Sequence, residues 1–204
     1  FIQTIAEDGY FLATCNSGTA FAYSGQKDEA TNTIGAITYL TNPTLAITAY
    51  NQQGQITQNY TDSYMKLSNT GVSITEPTLD QVAIGADSTK LLLTANMNTG
   101  ILSQNDLTTL IPEDNPLPKG VLHYQLSNSD NFFYDRSANA LVAPFTADID
   151  FSIASITDSD NVNVITTADA SPVGVEIRFG RLSLVNSFGP ETANLNQLAN
   201  SEHF

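Results

Sequence analysis

Four aspartates within residues 148–160 form the densest group of oxygen ligands in the sequence. Asp148 and Asp150 alternate with apolar residues, as on one face of a strand, and Asp158 and Asp160 follow in the stretch TDSDNVN. Ca²⁺ binds about six to eight oxygens, so these carboxylates and the neighbouring asparagines are candidate calcium ligands, although their spacing is not that of an EF-hand. The alternative is a solvated strand face followed by a polar turn, because Asp is a preferred turn residue.

Arg178 and Arg181 are a second candidate for ligand binding, because the sequence has only three arginines and places these two close together in an apolar run. Two adjacent guanidinium groups could grip a carboxylate or a sulfate. The structural alternative is a β-bulge at Gly180, which leaves both arginines outside and paired with carboxylates of the same sheet. The buried face then holds four apolar side chains: Ile177, Phe179, Leu182 and Leu184.

Tyr60 and Tyr64 are candidate ligand contacts near the end of a predicted hairpin. A tyrosine ring combines an apolar face with a polar hydroxyl group, which suits stacking against a sugar or a peptide. Packing across neighbouring strands is the alternative role for both rings.

Catalytic chemistry has little support in the sequence, and we expect a protein that is not an enzyme. The histidines are His123, within the strand-like VLHYQL, and His203 near the end of the chain. No G-x-S-x-G, H-x-x-H, C-x-x-C or glycine-rich phosphate motif occurs. Two aspartates on one strand face satisfy the separation required for glycoside hydrolysis, but the chain has no Trp to line a sugar cleft.

The charge balance restricts the partners, because 21 acidic residues face 7 basic residues and give a formal net charge of −14. Nucleic acid and anionic membranes are bound by clustered Lys and Arg, so we expect neither, whereas the charge favours divalent cations. No apolar run approaches the ~20 residues of a membrane span.

Cys15, the one cysteine, either pairs outside this sequence or is a small buried side chain. The chain begins with Phe1 and shows no signal-peptide pattern, so we interpret it as a piece of a longer protein.

The elements that position these residues are predicted to be strands. TLAITAY (44–50) alternates cleanly, with Leu45, Ile47 and Ala49 on one face, and the NQQG turn that follows predicts a hairpin. About ten such short segments, separated by Gly, Asn, Asp and Pro, predict an all-β, immunoglobulin-like sandwich with long loops.

The predicted sandwich domain covers residues 1–158. The strands within 159–204 either complete it or begin a partial second β module. One short helix is expected at SQNDLTTL (103–110), where the strand pattern lapses.

Four stretches of the sequence resemble the MSHA biogenesis protein MshQ family, whose members are surface proteins linked to a bacterial type IV pilus. They are IRFGRLSLVNSFGPE (177–191), CNSGTAFAYSGQ (15–26), VAPFTADIDFSIASITDSDNV (142–162) and AITAYNQQGQITQNYTDSYMKL (46–67). The last of these also looks like the central hairpin of bacterial Ig-like repeats. Asp62 and Asn161 stand where the family pattern has glycine.

The resemblance implies an extracellular or cell-surface protein with no known catalytic residues. Two functions follow as expectations. The first is a structural or adhesive module of the pilus system, with other surface proteins or glycans as partners. The second is a calcium-dependent carbohydrate-binding module centred on the aspartates of 148–160.

Overall fold

The computed structural model describes residues 1–13, 21–25, 37–84, 88, 90–108, 116–135, 142–184 and 199–203. Within these residues the chain is almost entirely β-structure, which confirms the predicted class. The strands are β1 (Ile2–Glu7), β2 (Tyr10–Ala13), β3 (Phe21–Tyr23), β4 (Ile37–Thr41), β5 (Thr44–Thr48), β6 (Val72–Ile74), β7 (Leu79–Ile84), β8 (Lys90–Asn96), β9 (Ile101–Ser103), β10 (Val121–Gln125), β11 (Asn131–Tyr134), β12 (Phe145–Thr146), β13 (Ile153–Ile156), β14 (Glu176–Arg178), β15 (Gly180–Leu184) and β16 (Ala199–His203).

Two sheets form the sandwich, with strand orders β1-β5-β10-β9 and β2-β4-β11-β8-β7. Neighbouring strands within each sheet are antiparallel. Strands that follow each other closely along the chain, such as β1 and β2 or β4 and β5, belong to different sheets. The chain therefore turns repeatedly from one layer to the other at tight corners.

One corner shows why a specific residue type is needed. Gly9, between β1 and β2, has a φ of +86°, and a Cβ at this position would lie 2.5 Å from the carbonyl oxygen of Thr41. A side chain would meet both the unfavourable left-handed conformation and the neighbouring corner at Pro43. The absence of a side chain at Gly9 lets the β1–β2 and β4–β5 corners pack together.

The core between the sheets is a single apolar cluster. Alternation places Leu45, Ile47 and Ala49 of the β5 segment inside, as predicted. Aromatic rings join the layers, since the ring of Phe132 lies 5.6 Å from that of Phe11 and 5.4 Å from that of Phe151. Edge-on and tilted arrangements at these distances add to the free energy of burial.

Residues 163–175 run along the edge that β1 and β2 share. The backbone N–H of Gln3 donates to the carbonyl of Thr166 at 2.9 Å, and that of Phe11 donates to the carbonyl of Val173 at 2.9 Å. The buried side chain of Gln3 accepts the N–H of Ala168 at 2.7 Å. This segment thus pairs with both layers, and β14 follows it between β12 and β3.

Local predictions met different outcomes. The NQQG hairpin is confirmed, because Tyr50 and Ile56 form an antiparallel bridge and the N–H of Asn51 donates to the carbonyl of Gln55. The helix predicted over 103–110 is wrong within its described residues, 103–108, where β9 ends and an irregular segment follows. That segment bonds to the outer side of β10, and this tertiary pairing outweighs its weak local helix preference.

The helical structure of the described residues is limited to short 3₁₀ turns at Asp62–Tyr64 and Asn69–Gly71. Neither has the length or the apolar character that a membrane-spanning helix requires.

Candidate functional site

The four predicted calcium ligands are not drawn together by the fold. Asp148 is half-buried, and Asp150 is exposed and accepts the hydroxyl hydrogen of Ser171 at 2.6 Å. Asp158 is buried in a turn, and Asp160 is exposed beside it. Across the part of the chain that the structure describes, no three His, Cys, Asp or Glu side chains are grouped so as to hold a metal ion.

The carboxylate of Asp158 is instead committed to its own turn. One oxygen accepts the backbone N–H groups of Asp160 at 3.0 Å and Val162 at 2.9 Å. The other accepts the hydroxyl hydrogen of Tyr60 at 2.9 Å. Asn161 completes the turn with a φ of 61°, as the left-handed residue of a short hairpin loop does. The stretch TDSDNVN is therefore a closed, self-capped hairpin turn.

Tyr60 is held in place by these contacts. Its ring packs edge-on against the ring of Phe1, with the centroids 5.5 Å apart. Burial, followed by the hydrogen bond and the charge of Asp158, raises the pKa of the Tyr60 hydroxyl. Tyr60 thus links the hairpin region to the 158–162 turn. Tyr60 and Tyr64, which the sequence analysis named together as candidate ligand contacts, therefore have separate environments.

Tyr64 lies on the surface, with 68% of its area exposed. It ends the 3₁₀ turn that starts at Asp62, where φ is 49°. The N–H of Asp62 donates to the side-chain oxygen of Gln104 at 3.2 Å, and the N–H of Tyr64 donates to the carbonyl of Thr61 at 3.0 Å. These bonds tie the turn to the segment after β9, so an exposed ring stands on a fixed support.

Two adjoining depressions lie beside this turn, with volumes of about 530 Å³ and 400 Å³. Thr61, Asp62 and Lys119 line both. We call this surface the Tyr64 groove. Its remaining lining comes from three segments: Gln58, Asn59, Ser63 and Tyr64; Gln104 and Asn105; Pro116, Leu117, Pro118 and Val121.

The guanidinium group of Arg178 is engaged in contacts with other side chains of the fold. Its guanidinium group donates to Glu176 at 2.8 Å and lies 4.0 Å from the centre of the Phe21 ring. The contact with Phe21 holds β14 beside β3, with which it pairs in parallel, whereas the bond to Glu176 lies within β14. Arg181 is on β15, and its side chain lies outside the described part of the structure, as does Cys15.

The bulge predicted at Gly180 is replaced by a complete break between β14 and β15. Ile177 and Phe179 are both buried, as predicted. The break has a simple cause, because β14 pairs with β3 and β12, whereas β15 pairs with β16. The side chains of Leu182 and Leu184 lie outside the described residues.

His123 is buried on β10 and is neutral in this geometry. Its Nδ1 accepts the backbone N–H of Leu107 at 3.2 Å and lies 3.3 Å from Asp106. Burial lowers the pKa of His123, and the charge of Asp106 only partly opposes this. Burial alone would raise the pKa of Asp106, but hydrogen bonds from Thr108 outweigh it and the pKa is lowered. The pair fixes the segment after β9 against the sheet.

Asp130 is fully buried at the corner between β10 and β11. One carboxylate oxygen accepts the N–H of Asn98 at 2.7 Å and the side-chain amide of Asn98 at 3.3 Å. The other oxygen has no hydrogen-bond partner. Burial raises the pKa of Asp130 to about 6, and the bonds from Asn98 act in the opposite direction.

With this geometry established, comparison with known proteins places the chain. A protein-family model described as "DUF6701, third domain" matches residues 1–177. The chain belongs to this family. No curated protein and no solved structure gives a significant match.

The DUF6701 match covers the sandwich, the Tyr64 groove and the 158–162 turn, and it ends immediately before Arg178. Three non-glycine positions inside the match have the backbone conformation that glycine favours, namely Asp62, Ser88 and Asn161. Asp62 and Asn161 are positions at which the resembled pattern has glycine. Asp and Asn are the residues that tolerate this conformation best after glycine.

Sequence reasoning missed the His123–Asp106 contact and most of the Tyr64 groove. The groove brings Asp62 against Gln104, 42 positions along the chain, and no local pattern signals such a contact. Pro116 and Pro118, which closely precede Lys119, were the one available sign, because they indicate a stiff loop whose lysine is held at the surface.

Proposed function

We propose that this chain is a non-enzymatic structural and adhesive module of a bacterial surface protein. The observation that carries this proposal concerns the buried aspartate and histidine side chains of the described residues. Each one accepts a backbone N–H from a turn or loop: Asp106 from Thr108, His123 from Leu107, Asp130 from Asn98, and Asp158 from Asp160 and Val162.

Buried acids and bases with such partners stabilise corners of a fold. An enzyme of general acid–base type instead directs them toward a shared cleft. The Asp106–His123 pair, Asp130 and Asp158 lie at three separate places in the fold, and each of the four groups has a backbone partner of its own. The arrangement suits a domain whose task is to keep its shape while it connects or displays other parts of a long protein.

The family description supports the same proposal, because a third domain is by its name one of several in a chain. The finer assignment to the MshQ family and to an MSHA-type pilus system is part of the proposal. It is supported by the four stretches that resemble this family and by the left-handed backbone at Asp62 and Asn161. The proposed location is the outer cell surface, and the proposed partners are other surface proteins or glycans.

Surface location can be tested with an epitope inserted in the exposed 51–54 turn of the full-length protein. This turn suits the insertion, because a side chain on Gly54 would meet no atom within 4 Å. We expect antibody to label intact bacteria. Labelling that appears only after the cells are opened would overturn the surface assignment.

The structural role can be tested by deleting residues 1–177 from the full-length protein in its own bacterium. We expect fewer surface pili or weaker attachment than in cells carrying the single variant Asp160→Ala, which alters only an exposed side chain. Normal pili and normal attachment after the deletion would contradict the proposal.

A further inference from the structure

The Tyr64 groove has the chemistry of a ligand site that recognises an uncharged polar molecule. Among the residues that the structure describes, its lining holds one acid, Asp62, and one base, Lys119, so these lining side chains carry no net charge together although the whole chain is strongly acidic. Carboxamide and hydroxyl side chains surround these two, and prolines supply apolar surface. Small-molecule sites occupy about 300–1,000 Å³ and combine apolar walls with a few placed polar groups. The depression of about 530 Å³, which Asn105 lines, and the adjoining one of about 400 Å³, which Tyr64 and Asn59 line, both fall in this range.

Tyr64 provides the element that distinguishes a sugar site from a generic polar depression. Its ring is 68% exposed, and the turn beneath it is fixed to Gln104 and Thr61 by hydrogen bonds. A rigid aromatic ring binds with little loss of conformational entropy and can stack on the C–H face of a pyranose. Carboxamides carry both donors and acceptors, and therefore pair with adjacent hydroxyl groups.

We infer that the Tyr64 groove binds a neutral oligosaccharide, with Tyr64 as the stacking platform and with Asn59 and Asn105 as hydrogen-bonding side chains. This inference rests on the proposed adhesive function and names the chemistry of its ligand. It invokes no metal ion, because Asp62 is the one carboxylate among the described lining residues. A peptide is the competing occupant, and the experiment below separates the two.

The test applies the purified 204-residue chain to an array of neutral and acidic oligosaccharides with a set of unrelated peptides alongside. We expect saturable binding to one or more neutral oligosaccharides, unchanged by EDTA. Tyr64→Ala should weaken it by about tenfold or more, as expected for the loss of a stacked ring. Tyr50→Ala is the matched control, because Tyr50 is also an exposed hairpin tyrosine but does not line the groove.

Several outcomes would overturn the inference. They are no binding to any neutral oligosaccharide by the folded chain, binding to peptides or acidic glycans alone, loss of binding in EDTA, or equal binding by the Tyr64→Ala and Tyr50→Ala variants. Unfolding temperatures of both variants exclude a loss of fold. The intact-cell labelling described above is independent of this result, so the groove can fail as a glycan site while the surface module stands.

Discussion

The 158–162 turn and the Tyr64 groove contain the same kinds of residue, but the turn is closed by hydrogen bonds and the groove is open to solvent. Each is a tight polar turn with an Asp or Asn in the left-handed conformation, at Asn161 and Asp62 respectively. In the first, the carboxylate of Asp158 is buried and receives three hydrogen bonds. In the second, the polar side chains line an open depression beside an exposed ring.

The difference lies in what distant segments contribute. Tyr60, 98 positions from Asp158, closes the first turn by donating its hydroxyl hydrogen. At the groove, Gln104 fixes only the backbone of the turn and leaves the surface beside it concave. A cluster of acidic residues is therefore a weak predictor of a ligand site, because nearby backbone N–H groups can satisfy the carboxylates.

The largest effect should come from Asp158→Ala, which removes the acceptor of two backbone N–H groups and of the Tyr60 hydroxyl. We expect the free energy of unfolding to fall by about 2–4 kcal/mol, measured by urea denaturation. Asp160→Ala is the matched control, since its side chain is exposed in the same turn, and should change the value by less than about 0.5 kcal/mol. Equal effects of the two variants would show that the turn is not closed by Asp158.

A second buried carboxylate sharpens the contrast, because Asp130 has one oxygen without a partner. Its folded-state pKa of about 6 is raised from 3.8, so the folded state favours the protonated form. That contribution to stability is present below about pH 4 and is lost as the pH rises to about 6, with a limit of about 3 kcal/mol.

Asp130→Asn should remove this pH dependence. Measured against the wild type by denaturation at pH 4 and pH 7, the variant should become relatively more stable at pH 7. Asp160→Asn is the matched control, because it makes the same substitution at an exposed side chain. A constant difference between Asp130→Asn and the wild type would show that the pKa of Asp130 is not raised.

A smaller effect on the free energy of unfolding is expected for substitutions of Asp62 and Asn161, which both have left-handed backbone conformations. Asp62→Gly and Asn161→Gly should leave the free energy of unfolding within about 1 kcal/mol of the wild-type value or raise it, because glycine adopts this conformation freely. Asp62→Val and Asn161→Val should lower it by about 1–2 kcal/mol. Thermal or urea unfolding measures both, and equal stability of the Gly and Val variants would contradict the assigned backbone conformation.

The smallest effect is expected for calcium. Because Asp158 is already satisfied by protein donors and the other three aspartates do not join it in a cluster, millimolar Ca²⁺ should not raise the unfolding temperature above that in EDTA. A ligand that binds the native state at a hundredfold excess over Kd would add about 2.7 kcal/mol of stability. Such a rise in the unfolding temperature, abolished by Asp158→Ala, would show that this turn binds calcium.

Much of the fold was available from local patterns. The two-residue alternation of TLAITAY and the NQQG turn placed β5 and its hairpin, because side-chain period and turn chemistry are local properties. The alternation of Asp148 and Asp150 with buried Ile149 and Phe151 was also readable. That segment nevertheless forms only one bridge, to Ala170, since pairing depends on which strand lies beside it.

The sequence by itself determined the all-β class, the core face of the alternating strands and the presence of turns in which Asp or Asn stands where the resembled pattern has glycine. Tertiary structure decided which polar residues are committed to the fold and which face solvent. The physical reason is that the neighbours of a carboxylate or a phenol decide whether it is hydrogen-bonded within the fold or exposed to solvent. These neighbours come from far along the chain, as with Tyr60 and Asp158. The Tyr64 groove exists for the same reason, because three segments that show no common pattern meet at one surface.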